Sequence, residues 1–380
     1  MDINEALNYH HFIIYTGRII VGVYTQREEV NLIMNRRNTT VLVSLLLCLC
    51  MLAACAGGGE QNEQAASGEQ AKLTKEVYAM DTVMDLTIYG FHKEGKALSE
   101  TELGEVMNQA VALINRLEGL FSVTKQDSDI AKINAAGGKP VTVADETYDL
   151  LQKCLHYSDI TDGMFDISIY PLVKLWGFTT GEYHVPTEQE IRKVQDQIDY
   201  KKIRLSDGNN VQIEEGMQID LGAAAKGYLS QKLMDLFRTE GIESAIVSLG
   251  GNVQAMGKKE DGSLYNIGLV DPADGTSIYG TLEVEDRAVI TSGIYQRYFE
   301  KDGQTWHHIM DKGTGKPADN GLASVTVVTA DGSTGDALAT ALYVMGEEKA
   351  VEYQKKHPEI EIILIRKDGS LWQSDELLKR

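Results

Sequence analysis

The pattern of apolar and polar residues first becomes regular at EVYAMDTVMDLTIYGF, residues 76–91. There Met84, Leu86 and Ile88 alternate with neighbours that are mostly polar, which predicts a strand with one buried face. The period then changes, because apolar residues between positions 106–117 recur at intervals of three or four, which predicts a helix. The chain therefore mixes strands with helices.

A second change of element lies in IDLGAAAKGYLSQKLMDLFRTEGIESAIVSLGGN. Residues 219–221 are interpreted as the end of a strand, and the next five as the start of a helix that runs to about Arg238. Residues 245–249 predict another strand, which leads into a Gly-Gly-Asn turn. A strand-to-helix junction of Gly and Ala lets backbone amides approach an anion, and Lys226 adds a positive charge there. The junction matches neither GxGxxG nor a P-loop, so both anion binding and simple close packing stay open.

Polar side chains concentrate in the later stretch from AVITSG to YVMG. Residues 301–304 predict a hairpin turn, and on the strand after it His307 and His308 face opposite sides, so at most one faces a given site. Asp336 is predicted at the start of the helix DALATALYVMG, with Thr340 one turn further on. Asp336 has two interpretations, a helix N-cap or, with Thr340, a pair of hard oxygen ligands suited to Mg²⁺ rather than Zn²⁺.

The block TDGMFDISIYPLVKLWGF predicts a turn at Asp162-Gly163 and a buried aromatic run behind it. Asp166 follows the turn closely and is well placed to contact a ligand, although an ordinary loop would look the same. For Trp176 a plug in the aromatic core and a functional position stay open.

Composition limits the function classes. The chain has 380 residues and a formal net charge of −20, which argues against a nucleic-acid partner, because such binding needs clustered Lys and Arg. Three of its four cysteines lie at or before Cys55, in the leader region. Cys154 is then left alone in the folded region, where core packing is its expected role.

The segment MNRRNTTVLVSLLLCLCMLAAC has the pattern of an export signal. Arg36 and Arg37 precede an apolar run, residues 41–54, that is short for a membrane span. Small residues then lead to Cys55. Residues 34–54 resemble the signal peptide of a bacterial lipoprotein, and Cys55 is the expected site of lipidation.

The domain organisation follows from this signal. Residues 1–33 lack a coherent pattern and are interpreted as an over-extended N-terminus that should be extraneous to the fold. Residues 55–75 are rich in Gly, Gln, Glu and Ala without aromatics, which predicts a flexible tether. Residues 76–380 are predicted to form the catalytic domain.

Several of these blocks, in this order, carry a resemblance that spans residues 80–346. They are MDTVMDL, TDGMFD with PLVKLWGF, DLGAAAKGY, VSLGGN, TSGIYQRYFEKDG with HHIMDKGTGKP, and DALATAL. Together they resemble the FAD:protein FMN transferases of the ApbE family. The resemblance implies an α+β fold: one two-lobed, T-fold-like domain with mainly antiparallel sheets and flanking helices, and FAD in the groove between the lobes.

The resemblance also implies the reaction, which moves FMN from FAD onto a threonine hydroxyl of an acceptor flavoprotein and releases AMP. It implies FAD as substrate, Mg²⁺ or alternatively Mn²⁺ as cofactor, and particular residues in this sequence. These are, for FAD, Met80, Thr124, Met164, Phe165, Asp166, Asp220, Lys226 and Met310; for the metal, Asp336, Thr340 and the backbone carbonyl of Ala223; and, as the base that accepts the threonine proton, His308.

Two positions depart from the family pattern. Ala339 stands where some relatives have Asp just before the metal-binding Thr, which puts a second metal ion in doubt. Asp81 stands where many relatives have Gly, in the block that should contact the flavin.

Two other functions stay open on the sequence. An FAD pyrophosphatase would use water in place of the threonine, and a non-catalytic FAD-binding lipoprotein would bind FAD unchanged. In each case the expected location is the bacterial cell membrane, with the protein lipid-anchored on the extracytoplasmic side. The expected acceptor is a redox-complex subunit or a secreted flavin-carrying domain.

Overall fold

The computed structural model describes residues 13–15, 18–20, 72–93, 96–259 and 261–379, and for residues 13–20 and 90–97 it describes the backbone alone. The predicted signal peptide, Cys55 and nearly all of the tether lie outside these residues. The interpretations of these segments therefore stay predictions.

A nine-stranded antiparallel sheet forms the centre of the described structure. From one edge to the other its strands are β20 (Leu371–Gln373), β19 (Glu361–Arg366), β18 (Leu322–Thr329), β13 (Arg287–Gly293), β10 (Asn252–Met256), β9 (Ile242–Leu249), β4 (Thr82–Lys93) and β3 (Lys72–Ala79), with β5 (Lys96–Ala97) paired to β4.

Smaller sheets surround this one. They are β1 (Ile13–Tyr15), β2 (Arg18–Ile20), β11 (Tyr265–Val270) and β12 (Ile278–Val284); β6 (Val141–Thr142), β8 (Asn210–Gln212) and β7 (Arg204–Ser206); the hairpin β14 (Tyr298–Lys301) and β15 (Gln304–His307); and β16 (Met310–Asp311) with β17 (Lys316–Pro317). Strands β1 and β2 belong to the segment predicted to be extraneous, and β2 meets β11 at one residue pair, Ile19 with Ile267.

Eight α-helices of the described residues complete the fold. They are α1 (Glu100–Phe121), α2 (Asp129–Ala135), α3 (Asp145–Ile160), α4 (Tyr170–Leu175), α5 (Glu188–Gln195), α6 (Ala225–Thr239), α7 (Gly332–Met345) and α8 (Glu347–Lys356). Short 3₁₀ helices lie at Ile167–Ile169 and Tyr200–Lys202.

The two faces of the central sheet are covered differently. Apolar residues of α1, α3, α6, α7 and α8 pack in two clusters on one face, whereas β11 and β12 cover the other. A smaller lobe forms around the fully buried Trp176, where α4 and α5 meet the β14–β15 hairpin. This mixture of helices with antiparallel sheets confirms the α+β prediction, and the core position of Trp176 confirms its interpretation as an aromatic plug.

Helix α1 confirms the prediction made from apolar spacing. Its buried face includes Val106, Ile114 and Leu117, and its first turn has a capping box between Ser99 and Glu102. The strand predicted at residues 219–221 is wrong. The Asn134 side chain bonds both the N–H and the C=O of Ile219, so these groups are not available to a neighbouring strand.

Two predicted boundaries also change. Helix α7 begins at Gly332, one turn before Asp336, because Asp331 is the N-cap and accepts a hydrogen bond from the N–H of Thr334. Asp336 therefore lies inside the helix and is not its N-cap. The folded region begins at Lys72 rather than at residue 76, since β3 continues its ladder with β4 back to that residue.

Candidate functional site

A groove of about 1340 Å³ runs between the central sheet and the smaller lobe. Its walls come from α6, α7, β13, the β11–β12 hairpin and the β14–β15 hairpin. Every residue that the resemblance implicated in FAD binding, metal binding or proton transfer lines it: Met80, Thr124, Met164, Phe165, Asp166, Asp220, Ala223, Lys226, His308, Met310, Asp336 and Thr340. The structure thus brings together residues far apart in the sequence, while their individual roles stay predictions.

We call one part of the groove the closed end, defined by Ala223, Gly227, Asp336 and Thr340. Here α6 and α7 cross at very close range, since a Cβ added to Gly227 would lie 2.2 Å from the carbonyl oxygen of Gly332. It would also lie 2.5 Å from the Cβ of Asp336. Glycine at this position allows the crossing that brings Asp336 to the start of α6.

Asp336 changes the hydrogen bonding at the start of α6. Its Oδ2 accepts a hydrogen bond of 2.8 Å from the N–H of Gly227, the group that in a regular helix would bond the carbonyl of Ala223. Among the described residues no backbone N–H bonds that carbonyl. The Ala223 oxygen is therefore free to face a ligand in the groove.

The closed end has the chemistry of a hard-cation site. The second carboxylate oxygen of Asp336, the Ala223 carbonyl and the hydroxyl of Thr340 are all oxygen donors, and Thr340 Oγ1 lies 3.1 Å from Ser292 Oγ. Within the described chain no three His, Cys, Asp or Glu residues cluster as a metal cage. Mg²⁺ does not need such a cage, since it is commonly held by one or two carboxylates together with substrate phosphates. The residues present fit that kind of site.

Basic side chains line the groove beside the closed end. Lys226 lies in the first turn of α6, and Arg297 and Lys312 come from the segments around the β14–β15 hairpin. The Nζ of Lys312 lies 2.8 Å from Oδ2 of Asp166. Neither Arg297 nor Lys312 was singled out from the sequence. The only signal was their position inside the resembling block TSGIYQRYFEKDG…HHIMDKGTGKP.

The carboxylate of Asp166 is largely occupied by the protein itself. Its Oδ1 accepts hydrogen bonds from the N–H and Oγ of Ser168, at 3.0 and 2.6 Å, and caps the short 3₁₀ helix. Its other oxygen, Oδ2, accepts from Lys312. The turn predicted at Asp162-Gly163 is confirmed, and both residues have positive φ. Any contact of this carboxylate with FAD would be added to these bonds.

His308 stands at the base of the β14–β15 hairpin and is only partly buried. The carbonyl oxygen of Arg297 lies 3.2 Å from its Nδ1 and also accepts a 3.2 Å hydrogen bond from its backbone N–H. A proton on Nδ1 satisfies this contact and leaves the lone pair on Nε2. Burial, with the nearby Arg297 charge, lowers the pKa of His308 to about 3, so its imidazole is neutral near pH 7.

His307 differs from its neighbour in burial and in its surroundings. It is 5% exposed, its Nε2 lies 3.1 Å from the carbonyl oxygen of Ala318, and its ring packs edge-on against Tyr343. Burial lowers the pKa of His307 to about 4. The prediction that at most one of the two histidines faces the site is confirmed, and that one is His308.

The turn between β3 and β4 projects into the groove. Met80 and Asp81 have φ values of 50° and 58°, so the turn is of the type that places both central residues in the left-handed region. Glu118 accepts a 3.0 Å hydrogen bond from the N–H of Met80 and holds it in place. Glycine adopts this conformation without strain and Asp tolerates it, so Asp81 can occupy this position of the turn.

The floor of the groove is mostly apolar. Phe165 and Met310 are 2% and 6% exposed, and Met164 packs beside the main core. Asp220, like Asp166, is a polar residue beside them that lines the groove. Burial raises the pKa of its carboxyl group, while the N–H of Gly222, 3.0 Å from its Oδ1, acts in the opposite direction.

Sequence comparison identifies relatives of this chain. The sequence model of the ApbE family matches residues 80–364. An FAD:protein FMN transferase of Klebsiella pneumoniae (strain 342) is 38% identical over 271 residues, which cover 68% of this chain and 81% of that protein. Another, of Treponema pallidum (strain Nichols), is 32% identical over 296 residues, covering 73% of this chain and 82% of that protein.

Solved structures give the same result. The ApbE protein of Thermotoga maritima superposes with a TM-score of 0.73 at 30% identity, covering 80% of this chain and 97% of that chain. The flavin transferase ApbE of Vibrio cholerae superposes with a TM-score of 0.70 at 28% identity, covering 80% and 97%. These likenesses confirm the predicted fold class.

Proposed function

As this chain belongs to the ApbE family, we propose that it is an enzyme that transfers FMN from FAD to an acceptor protein and releases AMP. The observation that carries the proposal is the single groove in which the residues implicated by the resemblance meet. Its closed end offers oxygen donors and basic groups, its floor is apolar, and a neutral histidine stands at its side.

In this proposal the acceptor group is a threonine hydroxyl. Its oxygen attacks the phosphorus on the FMN side of the pyrophosphate, the bond from that phosphorus to the bridging oxygen breaks, and AMP leaves with that oxygen. The hydroxyl proton passes to Nε2 of His308, which the Arg297 carbonyl keeps free to accept it. The low pKa in the free protein means that His308 enters the reaction unprotonated.

Charge builds on the non-bridging oxygens during such an attack, and fixed positive groups stabilise it. Lys226 and Arg297 line the groove where they can do this. We propose that Asp336, Thr340 and the Ala223 carbonyl hold Mg²⁺, or Mn²⁺ in its place. The cation would neutralise charge on the pyrophosphate.

We further propose that the protein is a lipoprotein of the bacterial cell membrane, attached by a lipidated Cys55 after removal of its signal peptide, and that it works on the extracytoplasmic side. The sequence of residues 34–55 supports this. In the part of the chain that the structure describes, no helix is long and apolar enough to cross a membrane.

Intact-mass spectrometry tests the transfer. The domain from Lys72 onward is incubated with FAD, Mg²⁺ and a candidate acceptor that carries a flavinylation threonine. We expect the acceptor to gain the mass of one FMN when metal is present, and not when Asp336→Ala or His308→Ala replaces the wild type. Free FMN and AMP without an adduct would indicate a pyrophosphatase instead, and bound, unchanged FAD would indicate a non-catalytic FAD-binding protein.

A further inference from the structure

The β14–β15 hairpin rises from the site as a separate two-stranded sheet. Its strands pair with each other, and in the described residues neither joins another sheet. Its tip is the predicted tight turn, with Asp302 and Gly303 at φ values of 56° and 73°. At its base the last backbone hydrogen bond joins His308 to Arg297. The hairpin thus begins at the residue proposed to accept the acceptor's proton.

The two faces of this hairpin have different surroundings. Phe299 and Trp306 form a cross-strand pair that packs on Trp176, with ring centroids 6.5 and 5.0 Å from that residue. Alternate residues point the other way, and there Tyr298 and Glu300 line the groove. One face is therefore anchored in a core, which holds the other face in a fixed position.

Exposed aromatic side chains are concentrated here. Among the residues whose side chains the structure describes, the large hydrophobic side chains that are well exposed are Tyr78, Ile160, Tyr183 and Tyr298. Tyr183 and Tyr298, 43% and 48% exposed, both line the groove. The ring of Tyr183 stacks on Phe299 with centroids 5.0 Å apart. Rigidly supported, exposed aromatics of this kind are the usual anchors of protein interfaces.

Charges around these tyrosines favour a basic partner. Glu182, Glu300 and Asp302 are exposed beside them, with Lys301 as the nearby base on the same hairpin. Arg297 also lines the groove, and its guanidinium group donates a hydrogen bond to the carbonyl oxygen of Phe178. Two exposed carboxylates therefore lie within two residues of the exposed tyrosines, Glu182 beside Tyr183 and Glu300 on the same strand as Tyr298.

We propose that this surface, formed by Tyr183, Tyr298 and Glu300, is where the acceptor protein docks. The segment that carries its reactive hydroxyl would lie along the hairpin in extended form, with basic residues near Glu300. Strands of four residues span about 13 Å, enough to hold roughly four residues of such a segment while the hydroxyl reaches His308. This inference rests on the proposed function and adds the partner's surface to it.

The test separates docking from chemistry. Tyr298→Ala, Tyr183→Ala and Glu300→Lys are compared with wild type for the KM of the acceptor and for the Kd of FAD, the latter from flavin fluorescence. We expect each tyrosine variant to raise the acceptor KM about 10-fold or more, the range of an interface anchor, with the FAD Kd unchanged within about twofold. Glu300→Lys should raise the acceptor KM most at low salt.

Tyr78→Ala is the matched control, because Tyr78 is 70% exposed but does not line the groove. An acceptor KM that stays at the wild-type value in both tyrosine variants would overturn the inference, as would an equal rise in Tyr78→Ala. Binding is also measured by biolayer interferometry to an acceptor whose threonine is replaced by alanine. Loss of this binding in Tyr298→Ala supports the surface even if wild type transfers no FMN, which would refute the proposed function alone.

Discussion

The closed end of the groove and the β14–β15 hairpin differ in how deeply their key residues are buried. At the closed end Gly227 and Asp336 are buried where two helices cross, and the hydrogen bond between them leaves the Ala223 carbonyl without a backbone N–H partner among the described residues. On the hairpin, Tyr298 and Glu300 are exposed on strands that pair only with each other among the described residues. Both regions adjoin one groove.

The difference matches what each region is proposed to bind. Phosphoryl transfer requires charge-stabilising groups that do not move during the reaction, and a packed helix crossing provides them. A protein acceptor requires accessible area, and an anchored hairpin with a free face provides it. Substitutions at the closed end should therefore impair catalysis or folding, whereas those on the hairpin should impair partner binding.

The largest effect is expected from Asp336→Asn. The amide oxygen can still accept the Gly227 N–H, but the negative charge is lost, so FMN transfer should fall about 10³-fold, equivalent to about 4 kcal/mol. Single-turnover rates measure this. Thermal unfolding should show near wild-type stability, whereas Asp336→Ala should lose about 1–3 kcal/mol by leaving that N–H unsatisfied. Transfer within tenfold of wild type in Asp336→Asn would remove the carboxylate from the mechanism.

The adjacent histidines give the next test. His308→Gln should lower kcat about 10²-fold, the lower end of the usual contribution of a general base, without a change in stability. His307→Ala should do the reverse, with kcat near wild type and a loss of about 2–3 kcal/mol, because it leaves a cavity and an unbonded carbonyl at Ala318. Steady-state kinetics and urea unfolding of both variants test whether His308 acts as the base and His307 stabilises the fold. Equal losses of kcat in the two variants would contradict these roles.

Close packing at the closed end predicts a stability effect of intermediate size. Gly227→Ala should destabilise the fold by about 2–3 kcal/mol, because the added Cβ collides with the backbone of Gly332. Gly104→Ala in α1 is the matched control, since a Cβ there meets nothing within 4 Å, and it should stabilise the helix by about 0.5–1 kcal/mol. Similar melting temperatures for the two variants would argue against the close crossing.

The buried His307 and the partly buried His308 both have lowered pKa values, which predict part of the pH dependence of stability. Their pKa values, about 4 for His307 and about 3 for His308, lie below the ordinary 6.5, so below pH 6.5 the unfolded chain binds more protons than the folded one. The contribution of the two neutral histidines to the free energy of unfolding is therefore complete above pH 6.5 and declines as the pH falls towards 4. Each histidine contributes a slope of up to about 1.4 kcal/mol per pH unit. His307→Gln should reduce the slope measured between pH 6 and 4.5; an unchanged slope would show that His307 titrates normally.

The smallest effect belongs to the β3–β4 turn. Asp81→Gly should stabilise the domain by about 0.5–1 kcal/mol, because glycine adopts the φ of 58° without strain. Asp302→Gly, at a φ of 56° at the tip of the β14–β15 hairpin and outside the groove lining, is the comparison for backbone relief alone. If Asp81→Gly alone also changes the Kd of FAD, the Asp81 side chain takes part in binding.

Local patterns in the sequence predicted the elements that depend on local interactions. Helix α1 was evident from its apolar spacing, and the hairpin turn at Asp302-Gly303 from its residues. The strand predicted at residues 219–221 failed because a distant side chain, Asn134, takes both backbone groups of Ile219. The spacing of apolar and polar residues along the chain contains no information about such a long-range hydrogen bond.

The sequence was limited in the same way for the site, because long-range contacts could not be predicted from it. Family resemblance located the residues of the groove, but not the bonds that prepare them. Asp336 and Gly227 are 109 positions apart, and Lys312 and Asp166 are 146 apart. Arg297 and the free carbonyl of Ala223 acquire their significance from tertiary contacts of this kind. Composition and spacing could not have revealed them.

Locating the bound metal tests the proposal that the closed end holds it beside the pyrophosphate. The domain is crystallised with FAD and Mn²⁺, and anomalous diffraction locates the manganese. The account predicts a peak bounded by the Asp336 carboxylate, the Thr340 hydroxyl and the Ala223 carbonyl oxygen, with the pyrophosphate beside it and the flavin in the groove. Manganese bound elsewhere, or FAD bound outside the groove, would contradict it.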